Sequence, residues 1–134
     1  MATAGTGPAD TGRAAEDHAL ATLQNAGLRL LQRNFRCRFG EIDLIMRDGN
    51  VLVFVEVRHR SSARFGSAAE SVTYRKLQRL LAAARIYLGR HPELGDCPMR
   101  FDLFGIDGGA GNGPPIIQWH REIMSGEQEI FGDG

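Results

Sequence analysis

The chain has 134 residues, with 16 basic and 16 acidic side chains that give a formal net charge of +0, and 43% of its residues are hydrophobic. That length suits one compact domain with its own core, and the neutral balance excludes a histone-like binder held by bulk charge. No apolar run approaches the roughly 18 residues that cross a bilayer, no basic segment precedes an apolar one at the N-terminus, and Cys37 and Cys97 stand apart without metal-ligand spacing. A soluble, cytoplasmic protein with reduced thiols is expected, without a membrane partner.

Neutrality hides polarity along the chain. Between Arg58 and Arg90 there are eight basic residues against one acid, Glu70. Arg29, Arg33, Arg36 and Arg38 form a second cluster, and Glu122, Glu127, Glu129 and Asp133 make the C-terminus acidic.

Residues 1–11 are rich in Ala, Thr and Gly without periodicity and read as a disordered tail. Over residues 12–26 the apolar spacing of Ala15, Ala19, Leu23 and Ala26 predicts a helix, with Thr11 as cap and Gly27 as stop. Glu16 lies beside that apolar stripe, where a first-turn acid complements the helix dipole. Residues 28–35 read as a strand, followed by the basic connection Arg36-Cys37-Arg38.

Residues 40–60 form the stretch on which the chain is organised: two apolar runs around a turn, with acids embedded where a core strand ordinarily carries none. Asp48-Gly49 and Gly49-Asn50 are both hairpin dipeptides, because these residues tolerate the positive φ of a type I′ turn. The first choice sets Glu41 opposite Glu56; the second sets Asp43 opposite Glu56 and Glu41 opposite Arg58. In both registers Glu41, Asp43, Glu56 and Arg58 share one face, and like charges so placed repel unless something positive sits between them.

Residues 61–72 read as a Ser/Ala/Gly loop beside the acids. Thr73 is placed to cap a helix to about Leu88, with Leu77, Leu80, Leu81, Ala84 and Leu88 as its buried stripe, Gly89 as its stop, and Arg75, Lys76, Arg79 and Arg85 outside. Residues 99–106 and 116–121 read as two further strands across a Gly/Pro-rich turn, the last an antiparallel edge strand. The assignment is one domain over residues 12–121 and an acidic tail over 122–134. Strands interleaved with two helices indicate an α/β sandwich with a mixed sheet covered by helices. Neither a P-loop nor a G-x-G-x-x-G follows a strand, so no nucleotide cofactor is expected.

The pattern Asp…Glu-x-Arg on adjacent strands suits metal-assisted phosphodiester hydrolysis. The acids hold a hard cation, and the basic residue stabilises charge on the phosphate. Internal ion pairs, with Glu41 to Arg58 and Asp43 on a backbone amide, explain the same residues equally well. Arg60, Arg64, Arg75, Lys76 and Arg79 are candidates for nucleic-acid phosphate contacts, set against a solvated helix face. Asp102, in an apolar run, is either support for the site or an acid with local hydrogen bonds. His18, His59, His91 and His120 show no ligand spacing, and Trp119 and Phe104 read as core.

Glu16, Asn34-Phe35-Arg36-Cys37-Arg38, Gly40-Glu41-Ile42-Asp43-Leu44-Ile45, Phe54-Val55-Glu56-Val57-Arg58-His59-Arg60, Phe65-Gly66-Ser67-Ala68-Ala69-Glu70, Lys76 and Arg100-Phe101-Asp102 together resemble the YraN-like family of bacterial putative endonucleases. The resemblance runs from about Gly12 to Trp119. It implies a restriction-endonuclease-like fold, a three-layer α/β/α sandwich with a central mixed sheet, related to Holliday-junction resolvases. It further implies metal ligation (Mg²⁺ or Mn²⁺) by Glu16, Asp43 and Glu56, catalysis by Asp43, Glu56 and Arg58, and support from Glu41 and Asp102. The implied substrate is nucleic acid, DNA before RNA and branched DNA among its forms, and resolvase-like enzymes commonly act as homodimers. Arg58 stands where that superfamily usually has lysine. A guanidinium clamps phosphate bidentately but stays protonated, so a binding module that keeps the fold without turnover is the alternative expectation.

Overall fold

A computed structural model describes residues 8–60, 72–108 and 113–125. Helix α1 (Pro8–Asn25) is followed by strands β1 (Arg29–Cys37), β2 (Gly40–Asp48) and β3 (Val51–Arg60), helix α2 (Tyr74–Arg90), a 3-10 turn (Pro92–Leu94), and strands β4 (Met99–Asp107) and β5 (Ile116–Ser125). Arg64 and the loop expected over 61–72 fall almost wholly outside the described residues.

The strands form one sheet in the order β1-β2-β3-β4-β5. Neighbours are antiparallel except β3 and β4, which are parallel, and α2 supplies the crossover that a parallel pair needs. This is the mixed-sheet α/β fold that alternating strands and helices predicted.

Two apolar clusters share the strands. Leu52 and Phe54 of β3 pack with Leu80, Leu81, Ala84 and Tyr87 of α2, whereas Val53 and Val55 pack with Ala15, Ala19 and Leu23 of α1. Alternate residues of a strand point to opposite sides, which accounts for this division. Thr73 caps α2 as expected, its Oγ1 accepting from Lys76 N at 3.1 Å.

The boundaries differ from expectation where local signals were overridden. α1 begins at Pro8 rather than residue 12, because proline's fixed φ and missing N–H suit a first helical turn. α2 runs through Gly89 to Arg90. β5 continues past Arg121 to Ser125, with Met124 paired to Phe101 and buried. Glu122 adopts φ 54, interrupting the alternation in sequence, and its N–H is satisfied by Asp102 Oδ1 at 2.9 Å. Part of the presumed acidic tail is therefore edge strand.

Candidate functional site

The hairpin adopts one of its two permitted turns. Asp48 pairs with Val51, so Gly49-Asn50 is the loop, and Gly49 takes φ 63. The β2–β3 pairs run from there to Leu44↔Val55. The next residues are Asp43 and Glu56, where Val57 N donates to Asp43 Oδ2 at 2.8 Å. β3 stays paired to β4 as far as Arg60↔Asp107. Asp43 thus sits where the hairpin ladder gives way to a side-chain contact.

Four carboxylates gather there in two subsets. Oxygens of Glu16 from α1 and of Glu41 and Asp43 from β2 lie within 4.8 Å of one another. Glu56, on β3, stands outside that trio and interacts with Asp43. Its residue is 2% exposed, and Lys76 Nζ and Arg58 Nη1 approach its Oε2 at 3.6 and 3.7 Å. Among the described residues no donor reaches Glu56 Oε1. Asp43 joins the subsets electrostatically: burial pushes its carboxyl up to about 8, the charge of Glu56 adds to that, and Glu16 and Glu41 contribute further against the Val57 N–H. Burial also raises Glu56, opposed chiefly by Lys76 and then Arg58. The proton so favoured on Asp43 can be shared with Glu56.

The expected ligand set was Glu16, Asp43 and Glu56. The tight trio instead contains Glu41, and Glu56 stands beside it as a buried carboxylate under two cations. The sequence offered Glu41 as support for the site or as a partner of Arg58; the structure puts it in the trio, and the ion pair seen for it is with Arg36, Nε to Oε2 at 3.7 Å. Arg33 pairs with Glu16 at 3.3 Å and with Asp17 at 2.9 Å. An open cleft of about 460 Å³ lies over this part, lined by Gly12, Arg13, Glu16, Arg33, Asn34, Arg36 and Glu41.

Asn34 is the residue the sequence did not single out. It adopts φ 54 within β1. With its amide NH2 turned to the acids it donates to both Glu16 oxygens at 3.2 Å and to Glu41 Oε2. The available signal was that asparagine is among the few residues that tolerate a left-handed backbone, but nothing in the strand pattern demanded one there.

The basic candidates separate. Arg75 and Arg79 are exposed on α2, Arg60 is half-buried at the end of β3, and Lys76 turns to Glu56. Asp102 is fully buried in a network of its own. It accepts from Arg100 Nε at 3.1 Å, Trp119 Nε1 at 2.9 Å and Glu122 N, and Arg100 also bonds Asp48 at 3.0 Å. Its neighbour on β3 is Val55, one residue from Glu56.

Residues 15–106 match the family described as "Uncharacterised protein family UPF0102". The chain belongs to the UPF0102 family. It is 49% identical over 117 residues to a UPF0102 protein of Pseudomonas entomophila (strain L48), covering 87% of this chain and 94% of that one. A UPF0102 protein of Xanthomonas campestris pv. campestris (strain B100) is 49% identical over 113 residues, covering 84% and 89%. The matched span of this UPF0102 chain contains Glu16, Asn34, Glu41, Asp43, Glu56, Arg58 and Lys76, so the whole carboxylate group lies inside the family's shared region.

Proposed function

We propose that this UPF0102 protein is a metal-dependent endonuclease that hydrolyses phosphodiester bonds in nucleic acid, DNA rather than RNA, with branched DNA among its substrates. The observation that carries the reading is Asp43. It shares a tight trio with Glu16 and Glu41 and feels the buried Glu56, with a carboxyl pushed up to about 8 by burial and then by its neighbours' charge. Carboxylates crowded in this way are short of positive charge, and a hard divalent cation such as Mg²⁺ or Mn²⁺ meets that need with oxygen ligands. The donor set fits: all candidate ligands are carboxylate oxygens, and Glu56 Oε1 is buried without a donor among the described residues. Asp43, with Glu16, Glu41 and Glu56, would hold the ion. The division of the core between α1 and α2 supports the finer reading of a three-layer, restriction-endonuclease-like sandwich, and resolvase-like action suggests a cytoplasmic homodimer.

When bound, the ion polarises a phosphoryl oxygen and lowers the pKa of its water. The chain's own residues supply the rest. Arg58, 36% exposed in its side chain beside Glu56, presents a planar fork to phosphate and stabilises the charge that builds up there. Arg75, Arg79 and Arg60 offer flanking backbone contacts without base readout.

A second reading has its own support. Arg33 and Arg36 already neutralise part of the charge on Glu16 and Glu41, and Arg58 replaces the usual lysine, so a nucleic-acid-binding module without turnover would keep the same residues.

The test is cleavage of linear, flapped and four-way DNA, with RNA alongside, in millimolar Mg²⁺ or Mn²⁺, combined with thermal melting. An ion that binds only the folded state adds about 2.7 kcal/mol at a hundred times its Kd, so wild-type melting should rise with metal. Asp43→Asn and Glu56→Gln should lose that gain and at least ~10²-fold in cleavage. Binding of DNA without metal response or cleavage selects the module. Neither binding nor metal response reduces the acids to ion-pair partners.

A further inference from the structure

Lys76 carries a role that its place on a basic helix did not announce. Its neighbours Arg75 and Arg79 are exposed, but the Lys76 side chain is only 33% exposed and its Nζ lies 3.6 Å from Glu56 Oε2. Arg58 Nη1 approaches that same oxygen at 3.7 Å, and Oε1 of the same carboxylate meets no donor among the described residues. A carboxylate with cations beside one oxygen and no donor among the described residues at its other, buried oxygen suits a ligand oriented by an outer partner.

The backbone beneath Lys76 is fixed as well. Lys76 occupies the third position of α2, where its N–H is bound by the N-cap hydroxyl of Thr73 at 3.1 Å. The amine therefore rises from a capped helical turn rather than from a loop. A guanidinium has five N–H donors, so Arg58 can fork a phosphate and still lie beside Glu56, as Arg100 bridges Asp102 and Asp48, whereas Lys76 has a single ammonium and it is directed at Glu56. An ammonium is compact and hydrogen-bonds as a point charge, which suits it to stay on one carboxylate oxygen.

We propose that Lys76 is a positioning residue of the carboxylate site: brought in by α2, it holds Glu56 by Oε2 so that Oε1 faces the cation, and it leaves Arg58 to the phosphate. The work that a single lysine does in a Glu-x-Lys motif is divided here between two side chains on different elements. This inference rests on the metal-dependent reading above.

Manganese titration calorimetry on Lys76→Met and Lys76→Arg, beside cleavage and DNA binding across salt concentrations, tests it. Removing a cation near a metal site should by charge alone tighten Mn²⁺ binding; loss of positioning should weaken it, by about 10- to 100-fold. The expected result is weaker Mn²⁺ binding and a lower kcat in Lys76→Met, with KM for DNA and the salt slope unchanged. Lys76→Arg should bind Mn²⁺ within about threefold of wild type, on the scale at which losing an outer partner costs tenfold or more. Ethylamine added to Lys76→Ala should restore part of the rate. Melting without metal checks that each variant is folded. Mn²⁺ affinity unchanged or tighter in Lys76→Met overturns the proposal, and so does a salt slope reduced by about one, which makes Lys76 a phosphate contact. A wild type that binds Mn²⁺ but cleaves nothing refutes the nuclease reading alone, and the calorimetry still decides Lys76. A wild type that binds no Mn²⁺ refutes both.

Discussion

Two groups of acids and arginines lie at different places on the same sheet, and they are built differently. Around Asp102 the charges are closed on themselves. Arg100 spans Asp102 and Asp48, and Trp119 Nε1 and Glu122 N take up the remaining lone pairs of a carboxylate that is fully buried. Around Asp43 the charges are open: carboxylates crowd one another, Glu56 Oε1 meets no donor among the described residues, and the arginines touch the rim at 3.3 to 3.7 Å. Burying a polar group without a partner costs free energy, so folded proteins tolerate it chiefly where something else completes the site. Residue types are the same in both groups. Among the described residues only the second is short of a partner, and the proposed cation would make up that shortage.

The largest effect should come from breaking the closed group. Asp102→Ala strands Trp119 Nε1, the Glu122 N–H and part of the Arg100 charge, and truncating one member of a buried charged network costs about 3–5 kcal/mol. Urea denaturation should show that loss, with any metal-dependent gain retained because no hydrogen bond among the described residues joins the two groups. A loss under about 1 kcal/mol would mean that the network is not holding β5 to β4.

The open group should respond to pH in the opposite sense from an ordinary salt-bridged acid. Asp43 has a folded-state carboxyl pushed up to about 8 by burial first and by Glu56 next, against roughly 3.9 for aspartate in an unfolded chain. Between those values the folded state keeps a proton that the unfolded state has released. The contribution of Asp43 to stability is therefore complete below pH 4 and declines as pH rises towards 8. Denaturation of the metal-free protein at intervals from pH 4.5 to 8 should show wild type losing stability relative to Asp43→Asn at up to about 1.4 kcal/mol per pH unit, with the variant equal or more stable at pH 8. Parallel curves for the two proteins would mean that Asp43 is ionised throughout and already satisfied. Adding Mn²⁺ should flatten the wild-type decline, since a cation favours the ionised carboxylates.

How much of this could be read beforehand follows the range of the interactions. The hairpin, the Thr73 cap and the acids on the hairpin strands depend on neighbours a few residues away, and the sequence carried them. The choice between Asp48-Gly49 and Gly49-Asn50 did not follow, because both dipeptides satisfy the turn and the decision rests on how Leu44, Ile45 and Met46 fit between helices far along the chain. Glu41 in place of Glu56 within the tight trio, Asn34 reaching back to Glu16, and Lys76 reaching Glu56 are all contacts between elements. The end of β5 was hidden by Glu122, whose left-handed backbone breaks the alternation while Asp102, twenty residues away, satisfies its N–H.

The smallest effect is also the sharpest on the comparison, and it concerns the rim. Arg36 is 77% exposed in its side chain and stands 3.7 Å from Glu41 Oε2. An exposed pair of this kind is worth about 0–1 kcal/mol, so Arg36→Gln should leave the metal-free protein within about 0.5 kcal/mol of wild type. It removes a positive charge that competes with the cation at Glu41, however, and one unit of charge a few ångströms away in a largely aqueous surrounding is worth roughly three-fold in affinity. Calorimetry at low salt should find Mn²⁺ bound about three-fold more tightly, with the gain fading near 1 M salt as screening takes over. A fall in Mn²⁺ affinity would show that Arg36 holds Glu41 in place, as Arg100 holds Asp102. The group around Asp43 would then be a second closed network, and the case for a ligand there would lose the contrast on which it stands.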